Sequence, residues 1–215
     1  MPGRALHPAP APAVASGRAE KAAARREAIL AAALDEFSAS GFAATRLDDV
    51  AKRAGVAKGT IYLYFADKEA LFQELVRTMI SPLITTLESV PAADIPARVV
   101  LTRFADLFAS EVYRTKRRAV LHLIVSEGAR FPSIAEFYYR EVVERAMVAM
   151  RHVIERGIAR GEIEHTALAR FPQLVAAPAI AAVVWGGMFE RFAPLDVENF
   201  MHAHIEVLLA KGGRS

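Results

Sequence analysis

The 215-residue chain contains no cysteine. That absence excludes a disulfide scaffold, a cysteine nucleophile and any thiolate metal site, and it fits a reducing compartment. Equally absent are a glycine-rich phosphate loop, a metal-spaced histidine cluster and a nucleophile motif, so the sequence offers no machinery for an enzyme and no cofactor is expected. His202 and His204 stand two apart and diverge on a helix, which makes a poor chelate. His204 falls on the apolar stripe Val197, Phe200, Met201, Ile205 and Leu208, where a core or interface histidine is expected. No strict period-two stretch of useful length is found either, which leaves helix as the organising element.

What remains is a folded composition, with 53% hydrophobic and 24% charged residues. At about 100–200 residues per domain, the length allows one large domain or two small ones. The formal charge of +3 is unevenly placed. Residues 1–26 carry a net +4, residues 27–78 a net −2 and residues 79–215 a net +1. A basic N-terminal arm suits nucleic acid or an anionic surface, although a solvated tail carries the same signature.

Residues 1–17, MPGRALHPAPAPAVASG, are Ala/Pro-rich and aperiodic, and an extended, disordered tail is expected there. The prolines at 8, 10 and 12 interrupt the apolar run that a signal peptide needs. Beyond the tail, helical spacing dominates. Ile29, Leu30, Ala33, Leu34 and Phe37 repeat on one face, and Gly41 supplies a stop. Thr45 with Asp48 three residues on resembles a capping box for a helix over 46–54. Further helices are expected over 58–65, over 67–88 with a kink at Pro82, and from Pro96 to about 112 after a connector at 91–96. The remaining four are 116–127, 132–157, 167–191 and 196–210, which brings the count to about nine. Residues 171–189 lack any charge, long enough to test as a membrane span. Pro172 and Pro178 interrupt that stretch, so a helix buried on most sides, in a core or a subunit interface, is the stronger reading and no membrane partner is expected.

The informative segment is 47–64. Val50, Ala51 and Ala54 on one short helix, Gly55 at a sharp turn, then Val56 and Ile61 on the next, form the apolar–small–glycine–apolar spacing of a helix-turn-helix. The second helix then exposes Ala57, Lys58, Gly59, Thr60, Tyr62 and Leu63. Lys58 suits a guanine edge or a phosphate, and Thr60 a phosphate or a thymine methyl. Gly59 permits close approach of a backbone, and Tyr62 and Tyr64 suit phosphate oxygens at the groove edge. Thr45 and Lys68 are placed at helix N-termini, which favour phosphate. The same residues also fit plainer roles: Thr45 as a cap, Tyr64 as a core aromatic, Lys68 as a solvated charge. A helical module that uses this hairpin for protein contacts is the rival reading.

The run ILAAALDEFSASGFAATRLDDVAKRAGVAKGTIYLYFADKEALFQEL, residues 29–75, resembles the DNA-binding domain of TetR-type transcriptional regulators. The diagnostic pieces are Gly41-Phe42, Thr45, Val50-Ala51, Gly55-Val56, Lys58-Gly59-Thr60-Ile61-Tyr62, Tyr64-Phe65 and Lys68-Glu69 with Leu71-Phe72. The run over 126–163 resembles an AefR-like C-terminal type. The resemblance implies an all-α homodimer with a tail at 1–17, a three-helix DNA-binding domain at 18–68 and a ligand-binding and dimerisation domain at 69–215. It implies cytoplasmic localisation, pairing through 167–191 and 196–210, and repression of a near-palindromic double-stranded operator relieved by a small ligand. The positions matching family DNA contacts are Thr45, Arg46, Lys58, Gly59, Thr60, Tyr62, Tyr64 and Lys68, and Arg18, Lys21, Arg25 and Arg26 add basic charge before them. Candidate pocket residues are Phe104, Phe108, His122, Glu127, Tyr138, Met147, Trp185 and Met188, which predict an apolar or aromatic ligand; Glu127 would select a cation if buried.

Overall fold

The computed structural model describes residues 13–89 and 95–210, and every regular element in them is helical. In order these are α1 (Ala13–Ala44), α2 (Leu47–Ala54), α3 (Lys58–Tyr62), α4 (Lys68–Met79), α5 (Ser81–Glu88) and α6 (Ala97–Leu107). A π-type segment (Phe108–Tyr113) extends α6 and is followed by α7 (Arg117–Glu127). Next, α8 (Pro132–Tyr138) runs through a second π-type segment (Tyr139–Glu144) into α9 (Arg145–Ala159). The chain ends with α10 (Ala167–Arg170), α11 (Gln173–Met188) and α12 (Val197–Leu209).

The all-α architecture is as expected, with two more breaks than the nine helices allow. The helix expected over 67–88 divides at Ile80 (φ −108°, ψ −47°), ahead of Pro82. Pro82 lies instead in the first turn of α5, where its missing N–H costs no helical bond. The helix expected over 167–191 divides at Phe171, because the residue before a proline is pushed out of the α region. Pro178, by contrast, does not end α11. At the N-terminus α1 begins at Ala13, so residues 13–17 are helical rather than part of an extended tail. The rest of that tail, and most of the connector at 91–96, lie outside the described residues.

Gly41 breaks the geometry of α1 with φ 76° and ψ 164°, a region open essentially to glycine alone. The capping box expected from Thr45 does not form. Arg46 is the N-cap of α2 and makes no side-chain cap bond. The Thr45 hydroxyl instead turns back to donate to Gly41 O (2.8 Å) and Glu36 O (3.2 Å), satisfying carbonyls at the end of α1. Asp67 and Asp196 do cap, accepting from Ala70 N (2.7 Å) and Asn199 N (3.2 Å).

Packing ties the N-terminal helices to the larger part. Phe37, Phe42 and Phe72 are fully buried against one another at ring separations of 5.4–6.4 Å. Phe131, from just before α8, meets Phe42 edge-on at 4.8 Å. Such aromatic clusters supply both buried area and orientation. A polar seam joins α5 to the second π-type segment and α9. The Ser81 hydroxyl, at the α4–α5 break, donates to Glu141 (2.9 Å), and Arg145 bridges Glu141 (3.2 Å) and Glu88 (2.7 Å). The bond from Arg145 holds the Glu88 carboxyl below its ordinary value.

Candidate nucleic-acid interface and ligand cavity

The turn between α2 and α3 follows from its residues. Gly55 takes the left-handed conformation (φ 66°, ψ 31°), its N–H bonds Lys52 O and the Val56 N–H bonds Ala51 O, the paired closure of a Schellman turn. Val50, Ala51 and Ile61 are buried beneath it and fix the crossing of the two helices. The outer face is left to solvent: Ala57, Lys58 and Gly59 are exposed, Tyr62 is 51% exposed and Leu63 82%. Nothing lies within 4 Å of the Cβ position at Gly59, so a partner's backbone has an open approach there.

The candidate contact residues divide by what already holds them. Arg46 is exposed at the start of α2 and has no side-chain partner among the described residues. Lys58 folds onto Asp48 (2.7 Å), a bond that holds its ammonium above the ordinary lysine value. Thr60 and Tyr64 are half-buried. Thr45 is buried, with its hydroxyl proton committed to α1. Lys68 donates to Phe42 O and Ala43 O, both at 2.9 Å, and its ammonium lies 4.8 Å from the Phe42 ring centre. Thr45 and Lys68 thus brace the end of α1 rather than stand free beside a helix N-terminus. Arg26 likewise pairs with Glu74 and leans on Phe65. Asp48 was not legible as a site residue; its ten-residue separation from Lys58 becomes contact only through the turn.

The pocket candidates separate in space. Phe104, Phe108, Tyr138 and Met147 line one cavity of about 500 Å³. Its walls also include Leu83, Ile84 and Leu87 of α5 and Ala177 and Ile180 of α11, and Gln173 joins the lining. The spacing of Ile80, Leu83, Ile84 and Leu87 is the sequence signal for that wall. His122 lines a different cleft of about 540 Å³ between α1, α7 and α11. Glu127 belongs to neither lining. Its Oε1 packs 2.8 Å from the Cβ position of Gly41, and its Oε2 makes only a 3.7 Å ion contact with Arg130. Trp185 and Met188 lie on an outer face of the α11 end; the Trp185 Nε1–H donates to Ala193 O (2.7 Å). The eight residues therefore do not form one pocket.

No described helix is long and apolar enough to cross a membrane, and the described residues hold no group of three or more metal-ligating side chains. Comparison with known proteins agrees with the geometry. Residues 29–75 match the family model described as bacterial regulatory proteins, tetR family. Residues 96–196 match a model described as tetracyclin repressor-like, C-terminal domain, which is not the AefR-like description expected for 126–163. The regulator YhgD of Bacillus subtilis (strain 168), itself uncharacterized, is 32% identical over 141 residues, covering 65% of this chain and 72% of its own. Among solved structures, a SmeT–triclosan complex superposes with a TM-score of 0.70 at 19% identity, covering 88% of this chain and 93% of that one. FadR from Bacillus subtilis in complex with stearoyl-CoA gives 0.65 at 21% identity, covering 86% and 97%. These likenesses support the shared fold, and the sequence matches carry the assignment: the chain belongs to the TetR family and is a DNA-binding transcriptional regulator.

Proposed function

We propose that the protein is a ligand-released repressor that binds a near-palindromic operator as a homodimer. The observation that carries this reading is the helix-turn-helix itself, whose buried face is filled by Val50, Ala51 and Ile61 while Lys58, Gly59, Tyr62 and Leu63 face outward without a packing role. Lys58, Thr60 and Tyr62 would read base edges, and Arg46 and Tyr64 would hold phosphates. Thr45 and Lys68 would act by fixing α1 against α2 and α4. The unit at 18–68 would carry DNA binding and the unit at 69–215 ligand binding and dimerisation.

Dimerisation is supported by the apolar surface that the last helices leave uncovered. Ile180, Trp185, Phe189, Met188 (59% exposed), Phe192 (70%) and Val207 (71%) are all at the surface of the single chain. Large apolar side chains left in water on the last helices are what a subunit interface would cover. Two recognition helices in such a dimer would enter grooves about 34–36 Å apart, or a multiple of that.

Ligand release is supported by the cavity of about 500 Å³, of the size that small-molecule sites have. A ligand favouring one spacing of the recognition helices would shift the dimer away from the operator. The structurally similar SmeT and FadR were solved with triclosan and stearoyl-CoA, respectively. Selection of duplexes from a random pool at about 100–150 mM salt tests the reading, since nonspecific binding is already weakened there. Enrichment of a near-palindrome is expected, and Tyr62→Ala should lose it while remaining folded. A folded protein that enriches no sequence would favour a protein-binding role for the hairpin.

A further inference from the structure

The cavity lining is chemically uneven. Among its nineteen residues none carries an ionisable acid or base of neutral pH, and only Tyr138 and Gln173 bring side-chain oxygen or nitrogen atoms. The Tyr138 hydroxyl has no hydrogen-bond partner among the described residues, and burial pushes its phenol above the ordinary value. Tyr138 is half-buried in the cavity wall, and a hydroxyl there that no protein group engages is free to bond a ligand atom. The cation nearest in sequence to this wall, Arg145, is already held by Glu88 and Glu141. It has no free valence for a ligand anion.

A second observation falls on the same cavity. Both π-type segments of the chain's described residues border it, Phe108–Tyr113 through Phe108 and Val112, and Tyr139–Glu144 through Val142 and Val143. Wide turns of this kind interrupt regular helix geometry and recur at functional sites. One of them begins directly after Tyr138.

We propose that the cavity takes an uncharged, mainly hydrocarbon or aromatic molecule bearing one hydrogen-bond acceptor, to which the Tyr138 hydroxyl donates. This deepens the ligand-release reading and rests on it for its regulatory meaning. A carboxylate or phosphate in the same place would be buried without a counter-charge, and the lining rejects it. Gln173 offers a second, weaker polar position.

Calorimetric titration of the full-length, DNA-free protein with nonan-2-one and with nonanoate, at a pH of about 7.5 where the acid is ionised, tests this. The ketone should bind, and nonanoate should bind at least about tenfold more weakly. Tyr138→Phe removes one oxygen and should weaken the ketone about fivefold. Ala146→Phe, which fills the cavity from α9, should abolish ketone binding whatever the behaviour of the Tyr138 variant; the melting temperature of each variant checks its fold. The proposal is overturned if the ketone does not bind, if nonanoate binds as well, if folded Tyr138→Phe is unchanged, or if folded Ala146→Phe still binds. Because the measurement contains no DNA, failure to find an operator leaves this result standing, and the reverse also holds.

Discussion

Pro178 and His204 are joined through a third residue's carbonyl. In α11 the proline nitrogen cannot donate to Leu174 O, four residues earlier. His204 Nε2, from α12, lies 2.7 Å from that oxygen. The imidazole supplies the donor that the proline removed, which explains how α11 passes through Pro178 without ending. It also requires that Nε2 carry the proton. His204→Ala should therefore cost at most about 1 kcal/mol, since the bond is exposed and water can take the place of the imidazole. In a Pro178→Ala background the backbone N–H returns and the same histidine substitution should cost much less. A double-mutant cycle by urea denaturation, at one fixed protein concentration, measures the difference; equal costs in both backgrounds would break the link.

In the proposed operator complex Asp48 would compete with DNA for Lys58. The pair is exposed, so it contributes little to stability. A phosphate or base edge taking Lys58 would have to displace it. Asp48→Asn should raise operator affinity about twofold to tenfold with little change in melting temperature, read by fluorescence anisotropy at fixed salt. A fall in affinity would mean that the ion pair orients Lys58 for contact.

Gly41→Ala should destabilise the protein by about 1–3 kcal/mol, because φ 76° with ψ 164° is a backbone region that side chains do not tolerate. The added Cβ would also stand 2.8 Å from Glu127 Oε1. Those two causes separate experimentally. If backbone strain dominates, adding Glu127→Ala will not restore the melting temperature; if the contact dominates, it will.

Lys68→Met keeps the aliphatic stem but removes the ammonium that bonds Phe42 O and Ala43 O. About 1–2 kcal/mol of stability should be lost, since charge-assisted bonds are worth more than neutral ones and this one is half-exposed. DNA affinity should fall only through that loss. A large drop in affinity with unchanged stability would restore Lys68 to the role of a direct phosphate contact.

The Glu88–Arg145 pair predicts a pH dependence. Because Arg145 lowers the folded-state value of Glu88, the folded form binds its proton less readily than the unfolded form. The pair's contribution is present above the ordinary carboxylate value of about 4.5. It is lost as pH falls through the lower folded value. Melting curves of wild type and Glu88→Gln should therefore differ near neutrality and converge in acid. Curves that stay parallel to the lowest pH would remove Glu88 as the titrating group.

Helical class, the helix-turn-helix and its outward residues are all legible in the chain. Those features rest on local rules: helical periodicity at Ile29, Ala33 and Phe37, a left-handed turn at Gly55, and capping by Asp67 and Asp196. Local chemistry also misled. Thr45 has the pattern of a cap, yet the kink at Gly41 brings carbonyls of α1 nearer to its hydroxyl than the amides of α2. Which apolar residues share the cavity is set by packing between helices distant in the chain. Periodicity says that a residue faces inward, not which neighbour it meets, so Phe104 and Tyr138 come together while His122 and Glu127 go elsewhere. The same holds for His204 and Pro178, where one residue's missing proton is supplied by another on a different helix, a relation carried by contact in space and by no spacing in the chain.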